Sequence, residues 1–263
     1  MNLPTITSAA WSPVYLRDLL RELVARDMKL RYRRSVLGLA WTLLNPLAQL
    51  LVLNFVFSRI LPLNIPNYPS FLFVGLLAWS WFQSSLINGT GAIVDNRDLI
   101  KRPGFPEAIL PLVTVSANFI HFLLALPVLF LFLILARIPL SGAILALPLV
   151  FAVQFILTLS LVYLVATMHV TFRDTQYLLG VLLLLGFYLS PVFYDSSSIP
   201  AQYQTLYHLN PMAVLIDSYR QILLDGQFPE WGGILILGLV SLGLLWAGYG
   251  IFRRSSRTFA EEL

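Results

Sequence analysis

The chain has 263 residues, of which 58% are apolar or aromatic and 11% are charged, with a mean hydropathy of +0.78. An ordinary soluble domain is about half apolar and a quarter charged, so this chain has too few charges to cover a water-facing surface of its size. Membrane spans of about 20 residues each use up most of its length, which excludes a large extramembrane catalytic domain. Cysteine is absent, which removes disulfides, thiolate metal sites and cysteine nucleophiles and leaves the redox compartment open.

The pattern predicts an all-α integral membrane protein. Residues 1–34 are polar, and Ser12-Pro13 opens a helix with a side-chain cap followed by a ring that needs no hydrogen-bond donor. Leu16, Leu19, Leu20, Leu23 and Leu30 then repeat at helical spacing, opposite the i,i+4 pairs Glu22–Arg26 and Asp27–Arg31. Such an amphipathic helix rests on the membrane surface or docks a cytoplasmic subunit, and the two roles are compatible. Charge-free stretches predict six spans, near 36–58, 70–92, 109–135, 143–168, 176–194 and 232–252. Between the second and third lies a charged loop with Asp95, Arg97, Asp98, Lys101 and Arg102, ended by Pro103, Gly104 and Pro106, where a short helix is expected. Its plain role is a solvated connector. The segment 195–231 is too short to cross but carries a helix opened by Asn210-Pro211, with Met212, Leu215, Ile216, Tyr219 and Leu223 on one face and Gly226 as a left-handed stop. Residues 253–263 form a short tail. Pro46, Pro127, Pro148 and Pro191 are expected to kink or loosen their spans.

Basic residues orient these spans. Fourteen of the seventeen fall in the amino-terminal 34 residues, the loops after spans two and four, and the tail, leaving Arg59, Arg137 and Arg220 for the other side. The positive-inside bias therefore predicts cytoplasmic ends. No cleavable signal peptide is expected, since no small-residue cleavage site follows a short apolar run near the start.

The predicted spans hold no carboxylate, and their ionisable groups at depth are His121 and, near an edge, His169. Ion-coupled transporters usually keep acidic or histidine relays at membrane depth. His121 reads more readily as a helix-packing residue than as a proton site. The two lysines, Lys29 and Lys101, follow Met28 and Ile100, so there is no phosphate-cradling G-x-x-x-x-G-K-[ST] loop. Directed work by this chain therefore calls for an energy source on a partner.

The run Lys29-Leu-Arg-Tyr-Arg-Arg-Ser-Val-Leu-Gly-Leu-Ala-Trp-Thr-Leu-Leu-Asn-Pro-Leu47 resembles the approach to the first span in type-2 ABC exporters of polysaccharides. Phe172-Arg-Asp174, Ser190-Pro-Val-Phe-Tyr194, Ile199-Pro200, Leu209-Asn-Pro-Met212 and Arg220 agree with it. The resemblance covers nearly the whole chain and takes in Wzm-type O-antigen, teichoic-acid and capsule permeases alike. It implies a homodimer in the bacterial plasma (inner) membrane that exports a lipid-linked polysaccharide. It further implies two copies of a cytoplasmic ATP-binding subunit, which hold the ATP and Mg²⁺, with no cofactor in this chain and no nucleic-acid partner. On the same grounds the first helix, with Arg17, Arg21 and Glu22, sits on the ATPase, and Arg97, Asp98 and Lys101 belong to a coupling helix inserted into it. Two helices of the 195–231 segment gate the outer mouth, with Pro211, Tyr219 and Arg220 as gate residues.

A polysaccharide shows hydroxyls that stay hydrated and flat C–H faces that stack on rings, so its channel wants aromatic walls and few fixed charges. Trp41, Phe55 and Phe57 in the first span, and Phe187, Tyr188, Phe193 and Tyr194 at the fifth, are the candidate lining; packing and interfacial belts are the ordinary alternative for such rings. Lys29, Arg31, Arg33 and Arg34 stand where a lipid diphosphate headgroup would arrive, or simply contact anionic lipid. An exporter of a drug or lipid is the alternative cargo class; a secondary transporter dependent on His121 and a non-transporting membrane scaffold are more distant ones.

Overall fold

The computed structural model describes residues 12–32 and 41–262, and every regular element among them is helical. In chain order these are α1 (Pro13–Tyr32), α2 (Trp41–Phe55), α3 (Tyr68–Thr90), α4 (Arg97–Ile100), α5 (Ile109–Leu135) and α6 (Leu147–Thr171). There follow α7 (Thr175–Leu189), α8 (Ala201–His208), α9 (Pro211–Leu223), α10 (Trp231–Ser255) and α11 (Phe259–Glu262).

Local chemistry sets several of these boundaries as expected. Ser12 Oγ accepts from the Tyr15 amide at 3.2 Å, and Asn210 Oδ1 accepts from the Met212 amide at 3.0 Å; each side chain satisfies a donor that the first helical turn leaves open. Gly226 adopts φ +65°, two residues past the cap of α9. The prolines divide. Pro46 and Pro127 lie inside α2 and α5, whereas Pro148 occupies the first turn of α6, where no donor is missed, and Pro191 follows the end of α7. Beyond α2 the chain winds one π turn, Val56–Ile60, closed by Leu61 N–H donating to Val56 O at 2.8 Å.

Among the described residues, five helical stretches are long and apolar enough to cross a membrane: Leu43–Ile60, Tyr68–Thr90, Ile109–Leu135, Gly142–Thr171 and Trp231–Ser255. The element expected near 176–194 is shorter, since α7 has 15 residues and stops where Ser190 turns extended ahead of Pro191. At 1.5 Å per residue α7 covers about 22 Å, against an apolar core of about 30 Å.

Packing centres on α3, which touches α2, α5, α6, α7 and α9. Its most apolar stretch is 78% buried, against 22% for α10 and 11% for α2. Apolar side chains gain little by leaving lipid for protein, so close backbone approach and polar contacts hold such helices together. Gly248 of α10 illustrates this: a Cβ there would lie 2.8 Å from Ser160 O of α6. At one end of the bundle α1 rests on α5, while α11 packs on α4 and α6, with Phe259 2% exposed beneath Phe252. Both ends of the described chain thus gather on the side that carries α4. At the opposite end α8 and α9 cap the bundle, and Ser141 Oγ donates to Gly226 O at 2.7 Å.

Candidate functional site

The end that carries α1, α4 and α11 presents the charged surface. Arg17, Arg21, Glu22 and Lys29 are exposed on α1, and Arg97, Asp98 and Lys101 are exposed on and just after α4. The underside of α1 is apolar, with Leu23 and Val24 buried. Asp27 and Arg31 form the expected ion pair at 3.2 Å. Arg26, expected opposite Glu22, turns instead to donate to Asn96 Oδ1 at 2.9 Å, tying α1 to the turn that enters α4. Arg33 and Arg34 lie outside the described residues.

Beneath this surface a polar cleft of about 480 Å³ runs between α2, α3 and α5, within the range of small-ligand sites, about 300–1,000 Å³. Its polar lining comes from neutral side chains at helical spacing: Asn45 and Gln49, then Ser80, Gln83 and Ser84, then Asn118 and His121. Arg31 stands at its rim, and Nη1 donates to Asn118 Oδ1 at 3.2 Å, an oxygen that also accepts from Asn88. Along α5, Asn118 and His121 lie about 14 and 18 Å beyond Ile109, so polarity reaches roughly half way across an apolar slab. Trp81 borders the same cleft; it is 2% exposed, and its Nε1–H meets no acceptor among the described residues. A buried donor left unmatched costs about 1–3 kcal/mol, and polar groups at membrane depth mark function. Of the candidate channel residues only Trp41, 56% exposed, lines this cleft.

Sequence reasoning missed the cleft because it searched the spans for charges. The signal was present as neutral polar residues repeating at i, i+3 and i+4 within apolar runs.

Further along, five of the seven aromatic candidates come together. Phe193 stacks on Phe57 with centroids 5.3 Å apart and meets Phe187, Tyr188 and Tyr194 at 5.8, 6.0 and 5.1 Å. Trp79 joins through Phe187 at 5.9 Å, and Tyr68 donates its hydroxyl to Phe193 O at 2.9 Å. Phe55 is 60% exposed on α2. Behind the rings an apolar groove of about 750 Å³ runs from Trp79 and Gly186 to Tyr203 and Pro211.

At the far end Arg220 is 5% exposed and fastens three segments together. Its Nη2 donates to Val192 O at 2.9 Å and to Phe71 O at 3.5 Å, while Nη1 donates to Tyr194 O at 3.5 Å and lies 3.9 Å from Asp217. The guanidinium carbon sits 3.4 Å from the Phe71 ring centre. Burial lowers the pKa of Arg220 to about 10, opposed first by Asp217, so it stays charged at neutral pH. Burial raises Asp217 and Asp225 above the ordinary carboxylate value, with Arg220 pulling the other way on both. Gly75 of α3 lets this knot close, since a Cβ there would lie 2.6 Å from Val192 O. Tyr219 is buried beside it and donates to Gln154 Oε1 at 2.7 Å, and Pro211 opens α9.

Chemically these parts offer an aromatic wall, a neutral polar cleft and an exposed charged face; the described residues contain no cluster of three or more His, Asp or Glu fit for a metal. Comparison with known proteins agrees with that picture. The ABC-2 type transporter family matches residues 18–224. The O-antigen export system permease protein RfbA of Myxococcus xanthus is 40% identical over 94% of this chain and 96% of its own length. A protein of the same name from Klebsiella pneumoniae is 33% identical over 95% of this chain and 96% of its own length. The polysialic acid transport protein KpsM of Escherichia coli is 26% identical over 88% of this chain and 91% of its own length. With a family match over most of its length and apolar helices long enough to span a bilayer, this chain is a multi-pass membrane protein of the ABC-2 type transporter family.

Proposed function

We propose that the chain is the permease subunit of a bacterial plasma-membrane exporter that moves a lipid-linked polysaccharide outward, driven by ATP on a separate subunit. The observation that supports this most is the 40% identity to an O-antigen export permease over 94% of the chain. The spans agree chemically: they carry aromatic rings and neutral polar groups rather than the fixed charges that would hold a polymer.

In this reading two copies of the chain pair, and two copies of an ATP-binding subunit, which hold the ATP and Mg²⁺, dock beneath them. Arg17, Arg21 and Glu22 on α1 and Arg97, Asp98 and Lys101 around α4 are the docking contacts, and their exposure at one end of the bundle favours this. Six crossings with cytoplasmic ends fit as well, because ends that gather on one side require an even number, and α7 is then a short fifth crossing ahead of α10. The chain divides into an interface helix in 1–34, a membrane body in 35–252, an outer gate segment in 195–231 and a tail in 253–263. Phe57, Phe187, Tyr188, Phe193 and Tyr194 offer stacking surfaces to passing sugars, with Trp41 and Phe55 on the exposed side of α2. Lys29 and Arg31, with Arg33 and Arg34 beyond the described residues, meet the diphosphate of the carrier lipid. Pro211, Tyr219 and Arg220 hold the gate.

Co-purification tests the arrangement. The permease alone hydrolyses no ATP, its complex with the ATP-binding subunit does, and deletion of residues 1–31 abolishes the complex. A stable, exporting complex formed without those residues refutes the docking role.

A further inference from the structure

We infer that the short helix α11 is a second mount for α4: Phe259 and Glu262 position α4 against α6 and α10, so that displacement of α4 by the ATP-binding subunit reaches those two spans directly. The inference rests on the export reading, in which α4 docks that subunit, and adds a route for the force. Phe259 is a positioning residue in this scheme, since it acts through α4.

A helix as short as α4 cannot hold itself in place. Its four residues, Arg97–Ile100, fall well below the roughly 12–15 that a helix needs to persist alone in water, so its position is set by what it packs against. Its residues divide accordingly: Arg97 and Asp98 are exposed, whereas Ile100 is 5% exposed and belongs to the apolar core. The turn into α4 is tied to α1 through Arg26 and Asn96, and α11 lies against both α4 and α6.

The sequence builds α11 as a hook. Past α10 the chain turns back within a few residues: Ser256 N–H donates to Phe252 O at 2.8 Å, and Thr258 donates to Ser255 O from both N–H and Oγ1, at 3.0 and 2.9 Å. Glu262 N–H then donates to Thr258 O at 3.1 Å. These bonds answer carbonyls that a helix end leaves open and bring Phe259 to Phe252, with ring centroids 5.3 Å apart. Phe259 is 2% exposed in a stretch otherwise rich in Arg, Ser, Thr and Glu, so the burial of its ring fixes α11 on the bundle. The contact continues inward: Phe252 meets Tyr163 of α6 at 5.1 Å, and the Tyr163 hydroxyl donates to Ala108 O, at the start of α5, at 2.8 Å. At the end of α6, Thr171 Oγ1 donates to Glu262 Oε2 at 3.1 Å. Because α6 and α10 approach closely at Gly248, a push delivered through α11 falls on both. Chain connection alone links α4 to α3 and α5; α11 adds the other pair, and coupling between distant sites travels through packed side chains of this kind.

The test uses the full chain with its ATP-binding subunit in proteoliposomes, with ATP hydrolysis and the transfer of fluorescently tagged lipid-linked glycan from the producing cells measured together. Phe259→Ala, and separately deletion of residues 259–263, leave the complex assembled and lower the glycan transferred per ATP hydrolysed. The expected fall is about two- to thirtyfold, the span of coupling changes that substitutions between two sites produce. Phe259→Leu keeps the apolar fill and restores most of the ratio. Ile100→Ala lowers the same ratio, and its effect combined with Phe259→Ala is less than additive, because both loosen one mount. Trp246→Ala, at an 83% exposed site of α10, leaves the ratio unchanged. A ratio that stays unchanged in either Phe259→Ala or the deletion overturns the inference, even where transfer and hydrolysis fall together, since a merely structural prop lowers both alike. Loss of the complex in both variants, or an equal fall in Trp246→Ala, overturns it as well. The docking role of α4 is read separately from the yield of complex with Arg97→Ala plus Asp98→Ala: reduced yield there beside an unchanged ratio in the Phe259 variants removes the inference and leaves the export reading standing. Absence of ATP-dependent transfer by the wild type overturns the export reading itself.

Discussion

Replacing Arg220 by Ala perturbs the most heavily used polar side chain in the far end of the molecule. Its Nη2 gives one short bond to Val192 O at 2.9 Å, its guanidinium lies 3.4 Å from the Phe71 ring centre, and Asp217 stands 3.9 Å away. A hydrogen bond from a charged group contributes about 1.5–3 kcal/mol, and a desolvated cation–ring contact adds about 2 kcal/mol. Together they agree with the roughly 3–5 kcal/mol lost when one partner of a buried pair is removed. The loss falls on the docking of α9 against α3 and the 190–194 loop rather than on the whole bundle. Because the chain has no cysteine, a single Ser218→Cys, at a site 3% exposed, reports opening of α9 by its labelling rate with a membrane-impermeant maleimide. When opening equilibrates faster than labelling, the rate follows the open population, so it rises by roughly two to nearly four orders of magnitude in Arg220→Ala. Arg220→Lys keeps the charge but not the planar fork and falls between. The double change Arg220→Met with Asp217→Asn removes the stranded charge and labels more slowly than Arg220→Ala. Equal labelling of Ser218→Cys with and without Arg220 refutes the reasoning.

Gly75→Ala forces a Cβ against Val192 O and Arg220 Nη2 and therefore accelerates the same labelling. Combined with Arg220→Ala its effect is less than additive, since both act on one contact. Asp217 has a raised pKa in the folded chain, so it adds stability that is complete below its unfolded value near 3.8 and is lost as pH rises through the folded value. In thermal unfolding of the detergent-solubilised protein, Asp217→Asn flattens the fall in midpoint over that interval; an unchanged slope contradicts the sign. Arg26→Ala cuts the link to Asn96, an exposed bond worth about 1 kcal/mol or less. It leaves complex formation intact and lowers the ATPase stimulation that accompanies transport, measured by phosphate release in proteoliposomes.

Much of the architecture could be read from residue order because lipid imposes one severe rule: a charge at depth is expensive. The stretches 109–135 and 143–168 coincide with helices for that reason, and Ser12 and Asn210 mark helix starts because their side chains answer open backbone donors. The fifth expected span ran five residues too far, since Ser190 begins an extended segment that hydropathy does not register. Five aromatic candidates converge on Phe193, yet nothing in their spacing indicated that Phe57 of the first span stacks on it from 136 positions away. Arg220 is one of three arginines expected on the outer side, but its partners Val192, Tyr194 and Phe71 contribute backbone carbonyls, which carry no residue signature. Phe259 likewise looks like part of a loose tail until its packing under Phe252 is seen.

The central claim is that this chain guides a glycan across the membrane while another subunit supplies the work. Proteoliposomes containing the permease and its ATP-binding subunit, loaded with fluorescent lipid-linked glycan on the ATP-facing side, test it through the glycan that becomes accessible to a glycosidase on the opposite side. Transfer requires ATP and both proteins, and stops when the partner binds ATP without hydrolysing it. Transfer by the permease alone, or driven by a proton gradient in the absence of nucleotide, contradicts the account.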